Sequence, residues 1–355
     1  MTKPMRLSLA VAGSVALALL SLYRYPPKSL PCGLIDINHE GIRVPPLLAQ
    51  LHDPVHWDRA YAFCMQTGVA HAMRWRMLVP VVCHDLGLSD QQYLWVPWLG
   101  SIVLLLAVMH YAWRDSRDPA RIAVAAGLFV TSSAWTSGPW VFAMDAWYLL
   151  PLLAFSLSPS PTVALAACLF GPWVDERFLL ALPLCAALRG VDRRSGWPRG
   201  LWPALGALPY CAGRLYAHFT GDPGVGEQIR MQGGCFANFA AWLPVGWWHG
   251  WRAGWLVIAP TLWIVWDSRP AFGGALARWA MAIGAACLLV VYFLAWDSSR
   301  SIAVLLPWAV LGASRTRLPA WALWLFVALN FALPVAYVCA AAAPNQPVHP
   351  VTFSY

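Results

Sequence analysis

The sequence predicts an all-α fold, a polytopic transmembrane helical bundle of about eleven spans, and three observations carry that expectation. Hydrophobic residues fill 59% of the 355 positions and charged residues only 11%, against roughly 45–50% and about 25% in soluble domains. Several apolar runs are long enough to cross a hydrocarbon core of about 30 Å. The 23 tryptophans suit a chain whose apolar surface meets a wet interface, where indole rings collect. A mean hydropathy of +0.55 points the same way, because a large soluble core needs charged faces that these residues do not supply.

The first run, 7–23, follows Lys3 and Arg6 and has the flanks of a signal peptide. The Tyr23 to Pro27 stretch after it lacks a small-residue cleavage site, so it reads as a retained first span. Further spans fall at 94–113, 120–137, 141–157, 162–174, 178–189, 201–218, 251–266, 275–295, 302–313 and 319–338. Those at 162–174, 178–189 and 302–313 are short for a full crossing and read as tilted, broken or re-entrant.

Basic residues orient the bundle. With the N-terminus in the cytoplasm, Lys3, Arg6, Arg114, Arg117, Arg121, Arg189, Arg193, Arg194, Arg199, Arg269, Arg278, Arg315 and Arg317 fall inside, mostly in short connections. Among the acids only Asp115, Asp118, Asp192 and Asp267 join them. The chain then forms one transmembrane domain, 1–355, with two long segments on the periplasmic side, 24–93 and 219–250. Long ordered connections are usually functional. In the first, the spacing of Trp57, Tyr61, Cys64, Met65, Val69, Met73 and Met77 predicts an amphipathic interfacial helix over 57–79. Ser89 followed by Gln92 predicts a capped helix start.

The nine cysteines form no C-x-x-C pair and no zinc spacing. Cys168, Cys185, Cys211 and Cys287 sit in apolar runs as small core residues, whereas Cys32, Cys64, Cys83 and Cys235 fall outside, where disulfides are permitted. No Walker loop, G-x-G-x-x-G, H-E-x-x-H or G-x-S-x-G is present.

Chemistry-bearing groups cluster on the outer side. Asp36 to Glu40 puts two carboxylates, an imidazole and an amide within five positions. Such a set accepts a proton or holds a hard cation, and it equally suits a polar surface loop. Arg74 and Arg76 flank Trp75 and suit either a bidentate phosphate clamp or a headgroup anchor. Asp175, Glu176 and Arg177 lie between two short apolar runs, where a hairpin tip at the outer interface is the expected placement. Asp297 to Arg300 reads as a short outer turn closed by a local ion pair, or as part of a site. Asp145, in the outer turn Ser137 to Ala146, is a fifth candidate.

In this order the motifs resemble those of the bacterial membrane glycosyltransferases of C-type fold (GT-C). Glu40-Gly41 matches the acid-Gly pair soon after the first span, Leu51 to Pro54 the short helix ending in Asp-Pro, and Arg74 to Pro80 the Arg-x-Arg-x-Leu-x-Pro run. Asp175 to Leu180 resembles the Arg-Glu-plus-leucines element with altered charge order, and Asp297 to Arg300 before Leu306-Pro307 the Asp-x-x-Arg turn. The first acid departs from the pattern, being Glu40 after His39 where the family has Asp after an aromatic residue, so Asp36 and Glu40 both remain candidates for the base.

The resemblance implies an inverting glycosyltransferase of the bacterial inner membrane, acting on the periplasmic side in cell-envelope polysaccharide biosynthesis. Its expected partners are membrane lipid, a polyprenyl-phosphate-linked sugar donor and a glycan or lipid acceptor, with no nucleic acid. The catalytic residues expected are Asp36 and Glu40, and the substrate-binding residues Arg74, Arg76, Glu176, Arg177, Asp297 and Arg300. A divalent metal is compatible with these groups and is not required by them. A transporter or flippase of lipid-linked glycans would share such a groove, and Arg230 and Arg252 leave a polymerase open. A non-catalytic envelope-assembly protein is the remaining alternative.

Overall fold

The computed structural model describes residues 3–24, 44–54, 75–136, 144–192, 201–220, 236–267, 274–294, 298–333, 336–337 and 351–352. Within them the fold is all-α. The helices in chain order are α1 (Lys3–Arg24), α2 (Val44–His52), α3 (Leu78–Asp85), α4 (Asp90–Leu94), α5 (Val96–Ser116), α6 (Pro119–Val130), α7 (Asp145–Leu157), α8 (Pro161–Val174) and α9 (Arg177–Asp192). Then come α10 (Leu208–Phe219), α11 (Phe236–Trp251), α12 (Trp255–Asp267), α13 (Gly274–Leu294), α14 (Ser298–Ser301), α15 (Leu306–Arg315) and α16 (Ala320–Ala332). Single 3-10 turns precede α10 and interrupt the chain between α11 and α12 and between α14 and α15. A two-residue antiparallel pairing joins β1 (Ala336–Tyr337) to β2 (Val351–Thr352).

Local chemistry explains where helices start. Ser89 caps α4, its hydroxyl accepting from the Gln92 backbone while Gln92 Oε1 accepts from the Ser89 backbone at 2.8 Å, the reciprocal box expected from the sequence. Asp118 and Ser160 cap α6 and α8, each followed by a proline whose missing N–H costs nothing there.

Three helices form the interior of the bundle. In α6 every residue from Ile122 to Val130 is buried, and in α15 every residue from Leu306 to Ser314. The third, α7, packs against α5, α8, α9 and α15. Its first residue, Asp145, is 1% exposed.

Two helical stretches are long and apolar enough to cross a membrane, Leu7–Arg24 and Asp90–Ser116, the latter of 27 residues. The helix Pro119–Val130 has 12 residues, about 18 Å at 1.5 Å per residue, well short of a hydrocarbon core. Of the eleven crossings expected from the sequence, two are matched by helices of crossing length among the described residues, and the other apolar helices there are shorter.

Opposite ends of the bundle differ chemically. At one end Arg114 donates to Leu157 O (2.5 Å), Arg189 to Phe155 O (2.5 Å) and Ser158 O (2.9 Å), and Arg121 to Ala313 O (3.2 Å). These arginines sit on helix C-terminal carbonyls, where the macrodipole favours cations. Arg315 pairs with Asp115 at the same end, at 2.7 Å. The other end holds the starts of α7 and α9 and the end of α8.

Of the expected interfacial helix over 57–79, residues 57–74 lie outside the described residues. Trp75, Arg76 and Met77 are not helical, and a helix starts at Leu78. Within the expected second outer segment, 219–250, the stretch from Phe236 onward is helical. Cys168 and Cys185 are buried as expected, but Cys211 is exposed. Cys83 is a free thiol in a small apolar cluster with Leu51, Tyr93 and Leu94.

Candidate functional site

The site begins at the junction of α8 and α9, which spans only Asp175 and Glu176. Asp175 ends α8 in extended conformation (φ −160°), and its Oδ1 accepts the Arg177 backbone N–H at 2.9 Å. One carboxylate thus stops one helix and starts the next.

The Arg177 side chain then folds back on that carboxylate bidentately, Nε to Oδ1 at 2.9 Å and Nη2 to Oδ2 at 2.7 Å. The same Nη2 reaches Asp145 Oδ1 at 2.7 Å. From the short helix α14, Arg300 meets Asp145 with Nε to Oδ2 and Nη2 to Oδ1, both 2.6 Å. From the segment before α3, Arg76 Nη1 lies 3.3 Å from Asp175 Oδ2. Its Nη2 and Nε donate to the two Glu176 oxygens at 2.9 and 3.3 Å.

The result is an alternating line of charges, Arg300, Asp145, Arg177, Asp175, Arg76, Glu176, with three of each sign. Its inner four side chains are 2–8% exposed and its outer two 27%. Burying a charge is tolerated only when it is paired and hydrogen-bonded, and the alternation satisfies that at every step. Burial would push the Asp175 carboxyl up, but Arg177 and Arg76 outweigh it and hold the group below the ordinary carboxylate range. Burial would lower Arg76, and the carboxylates of Asp175 and Glu176 raise it instead.

Aromatic rings line the line of charges. The Arg177 guanidinium lies 5.0 Å from the Tyr148 ring centroid. Beside Arg76, Trp75 meets Tyr210 edge-on at 6.4 Å, and Tyr210 meets Trp173 edge-on at 5.0 Å. Arg214 of α10 lies over the Trp75 ring at 4.8 Å. The Tyr148 and Tyr210 hydroxyls are buried with no hydrogen-bond partner among the described residues.

Of the residues singled out from sequence, Arg76, Glu176, Arg177 and Arg300 come together here. Asp36, Glu40, Arg74 and Asp297 lie outside the described residues. Two expectations need correction. Asp175 and Arg177 do lie at the tight junction of α8 and α9, but that junction is not open to solvent: the two residues are 3% and 5% exposed, and arginines from two other stretches pair with the buried carboxylates. Arg300 reaches across the fold to Asp145 rather than serving only a local turn. Asp145, ranked last from sequence, is the hub, and the signal available was an acid opening a wholly apolar helix. Tyr210 and Arg214 carried no signal, since nothing local distinguishes them.

No group of three His, Cys, Asp or Glu side chains able to hold a metal occurs among the described residues. Comparison of the chain with protein-family models, curated proteins and solved structures finds no match.

Proposed function

We propose that the chain is a multi-pass membrane glycosyltransferase of GT-C type, moving a sugar from a polyprenyl-phosphate-linked donor to a glycan or lipid acceptor. The observation that carries this reading is the convergence of Arg76, Glu176, Arg177 and Arg300 on one charged, aromatic-lined line at one end of the bundle. The motifs that suggested the family are remote in sequence, and these four residues come from three of them.

Membrane placement rests on the outward faces. Leu9, Leu19, Leu106, Trp263, Ile264, Trp279 and Trp321 are large, apolar and exposed, on five different helices, and large exposed apolar surface suits contact with lipid. The arginine-rich opposite end is the cytoplasmic one under the positive-inside rule. About eleven crossings then put the charged line on the periplasmic side of a bacterial inner membrane.

In the proposed reaction a first-segment carboxylate, Asp36 or Glu40, takes the acceptor hydroxyl proton. The acceptor oxygen bonds to the anomeric carbon as the carbon–oxygen bond to the lipid phosphate breaks, its electron pair leaving with the phosphate. One displacement inverts that carbon. Arg74 and Arg76 offset the charge developing on the phosphate, and Asp145 and Asp175 act as positioning residues for Arg177. Purified protein offered a panel of polyprenyl-phosphate sugars tests the reading. Either Asp36→Asn or Glu40→Gln should reduce transfer by about 10²-fold or more while the fold survives. Full transfer by both variants would remove the first-segment base.

A specific observation favours a second reading, a transporter or flippase of lipid-linked glycans. Interrupted helices lie side by side, α11–α12 broken at Arg252–Gly254 and α14–α15 at Ile302–Leu305, joined by a Trp251 Nε1 bond to Ile302 O at 2.9 Å. Broken helices of this sort line transport sites. Movement of a labelled lipid-linked sugar across proteoliposomes without bond cleavage would favour it over the enzyme.

A further inference from the structure

We propose that the Arg76–Glu176 pair is a latch on an anion site, with Glu176 holding the guanidinium edge that a phosphate ester takes when it binds. This rests on the reading that the charged end of the bundle meets an anionic ligand, and it adds how that end is kept closed.

The line of charges is fixed at one end and exchangeable at the other. Asp145 carries Arg177 and Arg300, and Asp175 carries Arg177 and Arg76, whereas Glu176 carries Arg76 alone. Breaking an inner pair strands a buried charge. The outer pair is 27% exposed on both sides, so a change of partner there costs little. Both carboxylates that Arg76 meets among the described residues, Asp175 and Glu176, already engage its guanidinium. A ligand reaches it by displacing Glu176, and a phosphate offers the same bidentate geometry as the carboxylate it replaces.

Arg214 supplies the bias towards phosphate. It lies on the ring of Trp75, the residue before Arg76, and no carboxylate pairs with it among the described residues. A dianionic ester gains from both arginines, where Glu176 gains from Arg76 alone. The Tyr210 hydroxyl, buried beside Trp75 and without a partner among the described residues, is a further donor on the same side.

Equilibrium binding of farnesyl phosphate to the full chain in detergent tests the latch, with inorganic phosphate as a parallel arm. Glu176→Gln should bind on the order of tenfold tighter than the wild type, and Arg76→Gln and Arg214→Gln more weakly. Glu176→Asp, which keeps the charge but loses reach, should also gain, which covers a Gln variant that folds poorly. A gain with both ligands supports the latch and assigns recognition to the phosphate itself, and a gain with farnesyl phosphate alone supports it for a lipid-borne ester. Wild-type binding with no gain in either Glu176 variant overturns the latch and leaves the proposed function standing. No binding by any of the proteins overturns the latch and the donor class together.

Discussion

At Asp145, a carboxylate 1% exposed accepts three short hydrogen bonds from two guanidinium groups, so its cost of burial is inseparable from theirs. Replacing it with Leu leaves Arg300 buried without this partner, and stranding one member of a buried pair costs about 3–5 kcal/mol. Removing both members, Asp145→Leu with Arg300→Met, should therefore cost less than Asp145→Leu alone. Denaturant unfolding in detergent of the two single variants and the double one measures the coupling, and strictly additive losses would mean that the two side chains act independently. This pairing was not legible in the sequence. Asp145 lies 32 positions from Arg177 and 155 from Arg300, and no local pattern encodes a contact of that range. The Ser89–Gln92 box was legible because donor and acceptor sit three residues apart and the geometry follows from the helix itself.

Among the helices, the apolar runs marked which segments pack, while the break after α11 came from a polar residue that had to be satisfied. The interruption after α11 turns on Arg252, whose φ of 47° is rare outside glycine. Its guanidinium donates to the carbonyls of Thr131, Asn330 (2.6 Å) and Leu333 (3.1 Å), at the C-terminal ends of α6 and α16. One side chain thus caps two helices, and Asn330 completes the junction by accepting the Ala253 N–H at 2.7 Å. A run from 251 to 266 reads from sequence as one span because Arg252 could equally have snorkelled outward. Close packing sets the other limit. At Gly284 of α13 a Cβ would meet the Leu184 backbone nitrogen of α9 at 2.9 Å, and a backbone atom cannot move aside as a side-chain tip does. Gly284→Ala should lower stability by about 1–3 kcal/mol by parting these helices, and thermal unfolding in detergent checks it. Unchanged stability would show that α13 shifts freely on α9.

For the molecule as a whole, the separation of charge between its two ends has a consequence that can be measured without knowing the ligand. Helix C-termini carrying Arg114, Arg121 and Arg189, with the Arg315–Asp115 pair, gather at one end, and the line from Arg300 to Glu176 lies at the other. Basic residues in short connections stay on the cytoplasmic side because translocating them is costly, so the two ends should face opposite compartments. Leu86, 69% exposed between α3 and α4, and Thr220, exposed after α10, report on the charged end. Arg317, exposed between α15 and α16, reports on the arginine-capped end. In a variant freed of native cysteines, cysteine at position 86 or 220 should react with a membrane-impermeant maleimide in intact cells. Cysteine at 317 should react only after permeabilisation. The reverse pattern would invert the orientation and place the charged line in the cytoplasm, where a periplasmic sugar transfer is impossible. Equal reaction at all three positions in intact cells would mean that no membrane separates the two ends.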